Sequence, residues 1–340
     1  MNLETKRSRK VMTMSSNVLG RKVAKIALSY AGARTGDKKH RDLVDTFNKE
    51  HPNGQHASYS DYWCAIAWTA WQLKAGLTHD DVPMGYNVPQ LVQQAKDRGI
   101  WVEDDKHAGR PGDGIVYDWQ DSGAGDNKGG PDHIGTIYKV SRKTIYVIEG
   151  NAGDQGICKR RAVPINGRYI RGFICPRYNA IYIDWLARRY AWPKGTDKKK
   201  FAVKGGKPCM KFRKAWKKRF PKRKIGSGCH QYVMLVMRVA GYKVMPLAWS
   251  KIIKYLKERC KLIKFEHKAS QLRKGDIMIY KRVDSNKKAH YHIWIVVEVG
   301  GKLMMAQANQ GLYYAHITPS LSKALKKYAK TYLFRAKESK

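Results

Sequence analysis

Residues 61–76 read DYWCAIAWTAWQLKAG, and residues 226–241 read GSGCHQYVMLVMRVAG. In each stretch a Cys heads an apolar run and a Gly follows 12 residues later, Cys64 to Gly76 and Cys229 to Gly241. An apolar run of this length closed by Gly predicts a buried helix with the Cys in its first turn. Working outward, the similarity continues. GRPGDGIVYDWQ (109–120) parallels QLRKGDIMIYKR (271–282), and Asp113 lies 49 residues after Cys64 where Asp276 lies 47 after Cys229. HIGTIYKVSRKTIYVIEGN (133–151) parallels HIWIVVEVGGKLMMAQAN (292–309), with steps of 18 from His133 to Asn151 and 17 from His292 to Asn309. Matching order at matching spacing predicts two diverged copies of one fold.

Around these anchors the periodicities predict helices first and strands after. Residues 20–34 carry Val23, Ile26, Ala27 and Tyr30 on one helical face, and Val88–Arg98 reads as another helix. From about residue 113, short β-branched and aromatic runs (GIVYDW, HIGTIYKV, TIYVIEG, RYIRGFICP) alternate with turn residues. Helices followed by an antiparallel sheet make an α+β layout. The 340 residues are long enough for two such domains, and 43% hydrophobic content excludes a disordered chain. The expected division is a flexible basic tail over 1–19, a first domain over 20–178, a basic linker rich in Pro, Gly and Lys over 179–208, and a second domain over 209–337.

Charge narrows the partners. The formal net charge is +40, and it is concentrated: residues 179–340 hold 40 Lys and Arg against 8 Asp and Glu, whereas residues 1–178 hold 27 against 19. A field of this size attracts polyanions such as teichoic acids, nucleic acid or anionic lipid. KFRKAWKKRF (211–220) reads either as a basic amphipathic helix for an anionic surface or as a solvated helix face. Trp216, Phe220 and Tyr255 lie among basic residues, which favours nucleic acid only superficially, since no nucleic-acid motif accompanies them and no specific nucleic acid is expected. No apolar run reaches the roughly 18 residues of a membrane span. The basic N-terminus lacks the apolar segment of a secretion signal. The six Cys form no CxxC pair, so neither a zinc ribbon nor a disulfide scaffold is expected.

A Cys in the first turn of a helix is placed for chemistry, because unpaired N–H groups and the helix dipole favour the thiolate, the nucleophilic form. Such a nucleophile needs a base, and the base an orienting acceptor. His133 opens one predicted strand, and Glu149 or Asn151 closes the next. Each residue alone has an ordinary explanation: a core Cys, a capping His, a turn around Gly150. Their joint occurrence, repeated in the second half, is what points to a site.

Together DYWCAIAWTAWQLKAGL, RPGDGIVYDWQDSGAGDNKGGPDHIGTIYKV, TIYVIEGN and NGRYIRGFICPRY resemble a CHAP domain, the cysteine, histidine-dependent amidohydrolase/peptidase family of phage endolysins and bacterial cell-wall hydrolases. The resemblance covers residues 20–178. It implies a papain-like fold, a Cys64 nucleophile, a His133 base, Glu149 to orient His133, and a supporting role for Asn151. Asp61 would shape the turn before Cys64. The second half more weakly resembles an NlpC-type domain. There Cys229 would be the nucleophile and His292 the base, with Gln307 and Asn309 standing where Glu149 and Asn151 stand, and His290 competing as base. The implied fold is two papain-like (CHAP/NlpC-type) domains, each with N-terminal helices packed on an antiparallel β-sheet. The implied activity is cleavage of a peptidoglycan amide bond without a required cofactor. Some CHAP domains are helped by calcium, for which Asp121, Asp126 and Asp132 are candidate ligands. An endolysin would gather in the host cytoplasm and reach the wall through a holin lesion. The competing class is a non-catalytic polyanion-binding protein built on degenerate hydrolase folds.

Overall fold

Helix α3 (Cys64–Lys74) forms where the apolar run predicts it. Trp63, Ile66, Trp68 and Trp71 are all fully buried around it. Gly76 ends the segment in the left-handed region (φ 88°), a conformation glycine adopts without a Cβ clash. The structure, a computed structural model, describes residues 17–104, 106–120, 129–202, 206–309, 313–319, 321 and 330–338. Its contacts divide the described chain into two units, residues 17–182 with Glu338, and residues 183–337.

The first unit begins with α1 (Val18–Ser29), α2 (Lys38–Glu50), α3 and α4 (Val88–Asp97). Its strands are β1 (Trp101–Val102), β2 (Gly114–Tyr117), β3 (His133–Val140), β4 (Thr144–Ala152), β5 (Ile157–Pro164) and β6 (Ile170–Ile174). They form one antiparallel sheet in the order β1-β6-β2-β3-β4-β5. Cys64, Trp68, Leu91 and Val92 of α3 and α4 join Val116, Ile134 and Ile174 in one core cluster, while Ile115, Tyr117, Val147 and Phe173 form another.

The second unit holds α6 (Met210–Arg219), α7 (Cys229–Val239) and α8 (Trp249–Arg259). Its strands are β7 (Cys260–Ile263), β8 (Ile277–Val283), β9 (Ala289–Val299), β10 (Lys302–Asn309), β11 (Tyr313–Thr318) and β12 (Lys330–Ala336). The sheet order is β11-β10-β9-β8-β12-β7, all antiparallel. Reading each sheet from its first strand gives the same path, so the two units share one topology as well as one sequence pattern.

The two GD dipeptides show how deep the repeat runs. Gly112 N donates to Ile137 O and Ile137 N to Asp113 O, while Gly275 N donates to Val296 O and Val296 N to Asp276 O. Both glycines have positive φ. Both aspartates are buried, and each is held by an arginine: Arg110 Nε and Nη2 donate to Asp113, and Arg335 Nε and Nη2 donate to Asp276.

Two expectations are corrected. Residues 17–19 are not part of a flexible tail, because Asn17 and Leu19 are buried where α1 starts. Segment 179–208 is not a free linker: α5 (Tyr178–Arg189) crosses the unit boundary, Trp192 N donates to Ala315 O, and buried Phe201 stacks on His316 at 4.6 Å. Its apolar residues overrode its Pro, Gly and Lys content. Helices α2, α5 and α8 and strands β1, β5, β7, β11 and β12 went unread. β5 carries the run CKRRA and so lacks a strand's apolar alternation.

Candidate functional site

Cys64 is the first residue of α3, and no side chain caps the helix at Trp63. Upstream, Asp61 Oδ2 accepts from Ser58 N at 2.7 Å and fixes the turn that delivers the chain into the helix. His133 is the first residue of β3 and stands opposite Tyr117 of β2. Glu149 lies on β4, fully buried. His133 Nε2 is 3.8 Å from Glu149 Oε2, an ion-pair separation rather than a hydrogen bond.

Burial disfavours a charge on His133, but Cys64 and the nearby Glu149 carboxylate together outweigh it and push the imidazole up to about 9. Burial likewise works against the Glu149 carboxylate, and His133, Arg161 and Tyr117 overcome it and hold the group below its ordinary range. Cys64 at the head of α3, His133 at the head of β3 and Glu149 on β4 are all buried, with Glu149 within ion-pair distance of His133.

Other side chains at the site went unread in the sequence. Arg161 of β5 donates from Nε to Glu149 Oε2 at 2.9 Å. Its guanidinium lies 5.6 Å from the Tyr117 ring centroid and 5.2 Å from that of Trp119. Tyr117 and Trp119 stack at 4.9 Å, and Trp119 lies 5.6 Å from His133. The signal for them was present in GIVYDW, whose aromatics alternate along the strand beside His133. Asn151 is in the left-handed region (φ 53°) and lines a cleft of about 280 Å³ with His133, Trp119, Lys159 and Arg161. Asp132 spends Oδ2 on Trp119 N at 2.8 Å, and Asp121 and Asp126 lie outside the described residues.

The second unit repeats the placement with different electrostatics. Cys229 heads α7, where Gly228 offers no side-chain cap. His292 of β9 stands opposite Tyr280, as His133 stands opposite Tyr117. His292 Nε2 and Gln307 Oε1 are 2.6 Å apart. Burial pushes His292 down, which the bond to Gln307 only partly opposes. Burial also pushes the fully enclosed Cys229 thiol up, against backbone N–H donors that include Ile293. Neutral Gln307 supplies no charge to offset burial, so this set rests uncharged. His290 is not a competing base at this position: it is exposed and pairs with Asp284 Oδ2 at 2.7 Å. Asn309 ends β10, opposite Tyr313.

No protein-family model, no curated protein and no solved structure matches this chain. Among the described residues, no helix is long and apolar enough to cross a membrane.

Proposed function

We propose that residues 17–182 form a cysteine amidase or endopeptidase that hydrolyses an amide bond of peptidoglycan, on the CHAP pattern that the sequence resembles. The observation that carries the reading is the placement of buried Cys64 at a bare helix N-terminus in the same unit as buried His133, which has buried Glu149 3.8 Å away. In this mechanism the Cys64 thiolate attacks the carbonyl carbon, and N–H groups of the first turn of α3 receive the developing oxyanion. Glu149 faces Nε2 and stabilises the imidazolium, which leaves Nδ1 of His133 to exchange protons at the reacting centre. His133 protonates the departing amine as the C–N bond breaks and a thioester remains. It then takes a proton from water, whose hydroxide displaces Cys64, giving a carboxylate and the restored thiol.

The second unit, on this reading, binds rather than cuts. Its Cys229–His292–Gln307 set is buried and uncharged, and most of the chain's net charge lies in residues 179–340. The partner class is a wall polyanion such as teichoic acid. Base stacking on nucleic acid has little support, because Trp216, Phe220 and Tyr255 are buried. A tandem of hydrolase and basic wall-binding unit suits a phage endolysin, released from the host cytoplasm to the wall.

The test is digestion of purified Gram-positive peptidoglycan by wild type, Cys64→Ala, Cys229→Ala and the double variant, with new amino termini and fragment masses recorded. Cys64→Ala is expected to abolish product release and Cys229→Ala to leave it intact. A product lost only in Cys229→Ala makes the second unit an enzyme. No product from walls of several peptide types ends the hydrolase reading.

A further inference from the structure

The cleft beside His133 has a composition that the catalytic set does not require. Lys159 and Arg161 form one wall, Trp119 another, and Asn151 and Gly153 the rim, with no carboxylate among the described residues of the lining. Arg161 is committed at Nε to Glu149 and lies over two aromatic rings, yet about a third of its side chain (35%) faces solvent. Lys159 is exposed and has no acidic partner among the described residues. It sits opposite Glu149 in the strand register, but Arg161 holds that carboxylate. Lys159 Nζ reaches across the rim, 3.6 Å from where a Cβ on Gly153 would stand. The cleft therefore presents an uncompensated ammonium and spare guanidinium donors beside an exposed indole, next to the proposed base. Such a surface favours a small anion attached to an apolar or ring-bearing body.

We infer that this cleft is a carboxylate subsite, in which Lys159, with Arg161, binds a free carboxylate of the peptide whose neighbouring amide is cut, while Trp119 covers the adjoining part of the chain. The identity of the peptide rests on the hydrolase reading; the chemistry of the subsite rests on its lining alone. Stem peptides of peptidoglycan carry such a carboxylate on γ-linked D-glutamate, and in some walls it is amidated, which provides a matched pair differing only in charge.

The experiment uses two muropeptides identical except for this group, free carboxylate or amide. Binding is measured by calorimetry to full-length Cys64→Ala and to Cys64→Ala/Lys159→Gln, and turnover is measured with wild type and Lys159→Gln. The carboxylate form is expected to bind about tenfold or more tightly than the amide to Cys64→Ala, as a charge-assisted hydrogen bond allows, and to lose most of that preference in the double variant. In turnover the loss should fall on KM for the carboxylate form, with kcat nearly unchanged. Lys159 is exposed, so Lys159→Gln should keep its fold, which circular dichroism checks. Equal binding of the two forms, or a preference that survives Lys159→Gln, overturns the subsite. Charge-dependent binding without turnover by wild type leaves the subsite standing and defeats the hydrolase reading.

Discussion

At the residue scale, the difference between Glu149 and Gln307 sets the two sites apart. Each stands on the strand that follows its histidine and faces that histidine's Nε2, at 3.8 Å for Glu149 and 2.6 Å for Gln307, and only one brings a charge. A carboxylate offsets the cost of burying imidazolium, whereas a carboxamide offers a hydrogen bond without that compensation. Glu149→Gln should therefore lower the His133 pKa from about 9 toward the ordinary 6.5, read by nitrogen-15 NMR titration of the ring, and reduce kcat about 10- to 100-fold. An unmoved titration would show that Glu149 does not govern the proton. Folding raises the affinity of His133 for its proton. Its contribution to stability is therefore complete below about pH 6.5 and fades as pH rises to and through about 9. In Glu149→Gln that alkaline loss should shrink in denaturant titrations run at pH 6 and pH 9.5.

At the element scale, the site depends on how closely α3 approaches β4. Gly150 lies between Glu149 and Asn151, and a Cβ there would stand 2.7 Å from Ala67 Cβ and 2.8 Å from the Trp63 ring. Neither atom is the free end of a flexible side chain, so the helix itself would have to yield. Gly150→Ala is expected to cost about 1–3 kcal/mol in equilibrium unfolding and to lower activity by displacing Cys64 from His133. Wild-type stability in this variant would mean that the helix and strand are not held at that distance. The basic helix α6 makes a related point. Its sequence allowed an amphipathic surface helix or a wholly solvated face. Phe212 and Trp216 are buried and stack at 5.6 Å, while the lysines and arginines between them remain outside.

At the scale of the whole molecule, charge asymmetry outlasts the divergence of the two copies. Residues 1–178 hold 27 Lys and Arg against 19 Asp and Glu, whereas residues 179–340 concentrate the cations, 40 against 8. Binding of the full chain to wall fragments should weaken as salt rises well above about 0.15 M, where the Debye length falls below about 8 Å. Sedimentation of Cys64→Ala with purified walls measures this without digesting them. Binding indifferent to salt would remove the electrostatic account of the second unit.

The sequence alone was enough to fix the α+β layout, both Cys-headed helices and the duplication, because apolar periodicity, Gly termination and repeated spacing are local signals. The strands that carry His133, Glu149 and Gln307 were legible for the same reason, although Glu149 and Gln307 lie within their strands rather than at the ends. Only the tertiary structure revealed Arg161, Tyr117, Trp119 and Lys159 as neighbours of His133, since strand pairing brings together residues distant along the chain. It also turned residues 179–202 from part of an expected linker into folded structure and separated His290 from His292. Burial made the two catalytic-looking sets electrostatically unlike, and burial is a property of the assembled core that no short stretch of sequence carries.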